Sequence, residues 1–138
     1  LVVDLRATHA HGVEPILSRQ ERREVKKRFD DSPVTLVGLG SNERFDDPDP
    51  AVLNRAVEAT KAFIKLSHDV GSGGVKVKPN SFHKDVPRRQ TIQQIGRSLN
   101  RLGRFAADYG QRRHGSFLRA GRRHGAPREQ PTVAEAAE

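Results

Sequence analysis

Three short polar stretches, each following an apolar run, hold most of the groups in this chain that could do chemistry. The first carries Arg6, His9 and His11, the second Ser41, Asn42 and Glu43, and the third Lys78, Asn80 and His83. Neutral imidazoles and carboxylates can ligate a metal or move a proton. Arg6 and Lys78 can hold a phosphate or another oxyanion, one as a planar fork and the other as a point charge. Taken singly, each of these groups is more readily a solvated or capping residue than a functional one. His9 and His11, two apart on a loop without an acidic partner, are weak evidence of a metal site. Their case rests on convergence upon one face. The candidate substrate-binding residues are Arg6, His9, His11, Asn42, Glu43, Lys78 and Asn80. Spacing assigns no catalytic residue and no metal ligand.

Convergence depends on the elements that carry these groups. "LVVDL" is a β-branched apolar run, and "VTLVGLG" from Val34 to Gly40 reads as a buried parallel strand. "VKVKP" reads as a third strand after the glycine turn "GSGG". Between the first two strands, Ser18 and Glu21 have the spacing of a capping box, with Val25 and Phe29 on one helix face. Asp49 and Pro50 predict the cap and first position of a second helix, whose apolar face is Leu53, Ala56, Val57, Thr60, Phe63, Ile64 and Val70. A third helix is expected to start at Thr91, with Ile92, Ile95, Leu99, Leu102, Ala106 and Tyr109 inward. Alternating strands and helices predict an α/β fold with a parallel sheet. In such folds the loops at the carboxyl ends of the strands gather ligands, and the three polar stretches lie there.

A fourth strand is due just after Tyr109 and Gly110. "QRRHGSFLRAGRRHG" stands there instead, with no alternation and no apolar run beyond Phe117 and Leu118. The composition changes abruptly at this point. Two readings remain open: a reading-frame error in a GC-rich gene, or a natural disordered basic arm whose cations contact phosphates. With Phe117 as its one aromatic residue, the tail gives no support for base stacking. The whole chain carries a formal charge of +8, but in the body acids and bases are interspersed, as on an ordinary solvated surface. The absence of cysteine excludes disulfides and thiolate metal sites, and no apolar run approaches the roughly 20 residues of a membrane span. The chain has no methionine and opens on a strand already under way, which reads as a piece of something longer.

Two glycine motifs fail on inspection. "GLGSNE" lacks the third glycine of a dinucleotide fingerprint and opens no helix. "GSGGVK" precedes a strand rather than a helix and lacks the ending of a phosphate-binding loop.

"VDLRATHAHGVEP", "VTLVGLGSNERFDDPDP", "AFIKLSHDVGSGGVKVKPNSF" and "VPRRQTIQQIGRSLNRLGRFAADYG" together resemble the sugar phosphate isomerase/epimerase family, xylose isomerase-like TIM barrels related to the AP endonucleases. The resemblance covers residues 1–111 and corresponds to the second, third and fourth βα units of the barrel. It implies a divalent metal ion in the barrel mouth, polarising a hydroxy-ketone while acidic residues shuttle protons between adjacent carbons. The first metal-binding glutamate of the family ends the strand after the helix matching residues 91–110, which is the strand not found here. No metal ligand carries over, and none is expected to be held by this chain alone. The AP-endonuclease branch implies a zinc-binding histidine after the strand matching Val34–Gly40. Ser41, Asn42 and Glu43 stand there instead, which disfavours DNA repair.

The expectations are therefore a partial (β/α)8 TIM barrel of about three βα units, residues 1–111, and a disordered Arg-rich tail, residues 112–138. The function expected is that of a fragment of a metal-dependent sugar (phosphate) isomerase/epimerase, inactive as an isolated chain. Its partner would be a small sugar or sugar phosphate, its setting the cytoplasm, without membrane contact. Open sheet edges would favour self-association. The alternative is a basic module that binds nucleic acid through the tail.

Overall fold

Short β-branched segments separated by amphipathic stretches build three βα units in chain order. These are β1 (Val2–Arg6), α1 (Arg19–Asp30), β2 (Thr35–Arg44), α2 (Pro50–Asp69), β3 (Val75–Lys78) and α3 (Arg88–Asp108). The computed structural model describes residues 1–109; the position of the expected fourth strand and the Arg-rich tail lie outside the described residues. The strands form one parallel sheet in the order β1-β2-β3, with β2 in the centre.

Local chemistry places the ends of these elements. Ser18 and Glu21 form the expected capping box: the Ser18 hydroxyl accepts from the Glu21 N–H, and the Glu21 carboxylate accepts from the Ser18 N–H at 2.7 Å. Asp49 caps α2 by accepting from the Ala51 N–H at 2.8 Å, with Pro50 next. At the other end of α2, Gly71 adopts φ 77°, a left-handed conformation that costs glycine little. It lets the N–H groups of Gly71 and Ser72 donate back to the carbonyls of His68 and Ser67, a Schellman closure.

Leu36 and Leu39 of β2, Val75 of β3, and Val57, Phe63, Ile64 and Leu66 of α2 are buried together with Leu102 and Ala106 of α3. Val3, Leu5 and Val77 pack against this core from the same side of the sheet, as do Val25 and Phe29 of α1. The intervening strand residues, Asp4 and Arg6 on β1 and Lys76 and Lys78 on β3, are exposed on the opposite face. The sheet is therefore apolar toward its helices and cationic away from them.

Three expectations are corrected. β2 does not stop at Gly40 but runs on to Arg44, so Ser41, Asn42 and Glu43 are strand rather than loop residues. They are held by an irregularity: Gly40 pairs with Lys76 and Arg44 with Lys78, so four steps on β2 match two on β3. The Ser41 hydroxyl bridges the gap by donating to the Lys76 carbonyl at 3.1 Å. Secondly, α3 begins at Arg88 after Pro87, leaving Thr91 one turn inside with its hydroxyl buried and unpartnered. Proline at the helix entry already fixes the backbone there, so a threonine cap is not needed. Thirdly, Ile92 is 58% exposed rather than inward, because α3 turns the face of Ile95, Leu99, Leu102 and Ala106 to α2.

Candidate functional site

Strand alternation brings a set of polar groups onto the uncovered face at the carboxyl end of the sheet. Arg6 ends β1, Lys78 ends β3, and Asn42 sits between them on the β2 irregularity. Together with Asp4, Gly40 and Lys76 they line a concavity of about 240 Å³. Gly40 pairs with Arg6 on one side and Lys76 on the other, at the centre of the group. A Cβ there would lie 3.6 Å from the Leu5 carbonyl oxygen, ordinary contact, but any longer side chain would grow among the polar groups.

The electrostatics are one-sided. Lys76 Nζ lies 3.6 Å from Asp4 Oδ2, so these two charges offset each other. Among the described residues no carboxylate forms an ion pair with Arg6 or Lys78. Two cations facing one hollow, with an amide between them, can receive an oxyanion or the electron-rich oxygens of a polyol. Glu43 lies beside Asn42, half-buried, and burial pushes its carboxyl above the usual range. It does not line the concavity.

The remaining candidates lie elsewhere. His9 and His11 are exposed on the loop between β1 and α1. The His9 ring contacts the Thr8 hydroxyl at 2.8 Å, and the His11 N–H donates to Glu14 Oε1 at 3.2 Å. His9 and Ala10 both have left-handed backbones, φ 64° and 58°, which strains residues bearing a Cβ. Asn80 also has positive φ, 69°, which its short amide tolerates, and its side chain donates to Asp46 Oδ2 at 3.0 Å.

Asp46 is a hub that the sequence reading missed. It is 6% exposed, and Oδ2 is contacted by the Asn80 amide, the Ser81 N–H at 3.2 Å and the His83 ring at 3.2 Å. Burial alone would raise its pKa, but the hydrogen bonds from Asn80, its own backbone, Ser81 and His83 outweigh that and hold it below the usual range. Asn80 and His83 are thereby used to tie the loop after β3 to the loop after β2. Gln94 of α3 adds donations to the carbonyls of Phe45 and Asp47 at 2.9 and 2.8 Å. This frame steadies β2 just beyond Asn42.

Asp4 and Lys76 are the other residues missed, and their signal was legible. In "VVDLR" and "VKVK" polar residues alternate with apolar ones, which sends Asp4 with Arg6 and Lys76 with Lys78 to the same face. Among the described residues no three His, Asp or Glu side chains gather in a metal-binding arrangement.

A parallel sheet covered by helices on one face, its other face polar at the carboxyl end, is the layout of a segment of a βα barrel. Residues 3–113 match the xylose isomerase-like TIM barrel family, and the chain belongs to that family. The solved structure of an L-ribulose 3-epimerase is similar over 80% of this chain and 37% of its own length, with a TM-score of 0.61 and 20% identity. A xylose isomerase domain protein from Planctomyces limnophilus is similar over 80% of this chain and 42% of its own, with a TM-score of 0.57 and 14% identity. At these identities the likeness is one of fold, and the chain spans about two fifths of each relative's length. No match was found among curated protein sequences. Together the family and the neighbours make this chain part of a xylose isomerase-like TIM barrel. No helix among the described residues is long and apolar enough to cross a membrane.

Proposed function

We propose that residues 1–109 form the substrate-recognition side of a cytoplasmic sugar isomerase/epimerase, and that its substrate carries an anionic group such as a phosphate ester. The observation that carries this is the pair of cations without carboxylate partners, Arg6 and Lys78, flanking Asn42 over one hollow. The guanidinium and ammonium attract the anion, and the Asn42 amide can both donate to and accept from a hydroxyl. Glu43, next to Asn42 in the chain and raised by burial, is a group able to hold a proton. His9, His11 and Asn80 belong to the loops around this mouth, the histidines as outer contacts and Asn80 as the brace on Asp46.

A divalent metal would supply Lewis-acid polarisation of a hydroxy-ketone in the whole barrel. Residues 1–109 offer no donor set for it, so their chemistry is recognition. The chain by itself is accordingly expected to bind sugar phosphate without converting it.

The test is a titration of the full chain with D-fructose 6-phosphate, followed by amide chemical shifts. Shifts centred on Arg6, Asn42 and Lys78, much smaller with D-fructose, are expected. An Arg6→Ala/Lys78→Ala variant that stays folded yet responds as the wild type does would overturn the reading.

A further inference from the structure

A second hollow lies away from this mouth, on the helix-covered side. It is a groove of about 850 Å³ between the start of α1 and the end of α2, reached by Tyr109 after α3. We infer that this groove binds single-stranded nucleic acid, its cations contacting phosphates and Tyr109 stacking on a base.

Arg22 builds the groove rather than serving it. Its guanidinium donates to Asp69 at 2.8 Å and to the carbonyls of Pro15 and Leu17 at 2.6 and 2.9 Å, which locks α1 against α2. That contact consumes Asp69, the one acid in the lining. Arg19, Arg23 and Lys65 remain exposed and none forms a salt bridge among the described residues, although the Lys65 charge acts on the Glu58 carboxylate. Lys26 adds a fourth cation, shared with Asp30 on the solvent side. These charges stand along two helices across an open groove instead of converging on a point, so they match phosphates strung along a chain.

A second, independent feature selects nucleic acid among polyanions. The half-buried Tyr109 ring lines the groove, held by Phe105 at 5.2 Å between centroids and met edge-on by His68 at 5.8 Å. An aromatic ring fixed beside a cationic track is what sequence-tolerant base stacking requires.

The experiment uses the full chain and a fluorescein-labelled oligouridylate, read by anisotropy over a salt series, with heparin as a polyanion without bases. Arg23→Glu/Lys65→Glu is expected to weaken oligouridylate binding at least about tenfold and to lower the salt slope by about one unit or more. Arg55→Glu/Arg89→Glu, a charge reversal of the same size outside the groove, should change binding far less. Tyr109→Ala should cost about fivefold or more for oligouridylate and little for heparin, with Tyr109→Phe close to wild type. Melting curves confirm that each variant is folded. Equal losses on reversing the Arg55–Arg89 pair and the groove pair would reduce the attraction to net charge and overturn the assignment. Binding of heparin alone, or indifference to Tyr109→Ala, would remove nucleic acid as the occupant.

Discussion

At the scale of single residues, two buried polar groups have opposite consequences. Asp46 is buried but fully engaged, so Asp46→Ala leaves the Asn80, Ser81 and His83 donors without an acceptor. A loss of about 1–3 kcal/mol is expected in urea unfolding. Because the folded carboxyl is held below its ordinary range, its contribution is complete above the unfolded value of about 4 and is lost as pH falls through the folded one. The stability gap between wild type and Asp46→Asn should therefore narrow in acid; parallel pH curves would sink this account. Thr91 is the converse case, 1% exposed with a hydroxyl that has no partner. Thr91→Val keeps the shape and branching while removing that hydroxyl, so a gain on the order of 1 kcal/mol is expected in the same assay. A cap at Thr91 was a fair expectation from composition. Its failure shows why caps are hard to read: Pro87 and the approach of α3 to α2 decide where the helix begins.

At the scale of elements, the ends that depend on neighbours in sequence were legible, and those that depend on neighbours in space were not. The Ser18–Glu21 box and the Asp49–Pro50 start stand as read, since each satisfies backbone donors within one turn. Ser18→Ala is expected to cost about 1 kcal/mol, measured as a drop in the urea midpoint with unchanged slope. β2 behaves differently. Nothing local in "SNER" says strand, yet the Ser41 hydroxyl reaches the Lys76 carbonyl and carries the pairing four residues past Gly40. Ser41→Ala should loosen this irregularity and displace Asn42 and Glu43. The expected readout is weaker D-fructose 6-phosphate binding with a melting temperature changed only slightly. A large stability loss with unaltered binding would assign Ser41 to the fold alone.

At the scale of the whole sheet, a central β2 leaves β1 and β3 each with an unpaired edge among the described residues. Leu1 and Val2 on one of them are 91% and 65% exposed. Such an edge invites pairing with another strand. Sedimentation velocity is expected to show association that grows with concentration, reduced by Val2→Lys, which places a charge on the edge without touching the core. An unchanged distribution in that variant would move the contact elsewhere.

The sequence by itself determined the order of three βα units, two of the three helix starts, the apolar faces of α1 and α2, and the membership in a barrel family carried by phrases spread over residues 1–111. The membership rests on the resemblance of those phrases; the other properties follow from periodicity, capping and turn chemistry, all of which act within a few residues. Only the tertiary structure decided which candidates meet. Arg6, Asn42 and Lys78 share a hollow with Asp4 and Lys76, while Asn80 and His83 are drawn away to Asp46. The physical reason is register: the pairing of Gly40 with both Arg6 and Lys76 sets which side chains stand level across the sheet, and that alignment is made between strands more than thirty residues apart.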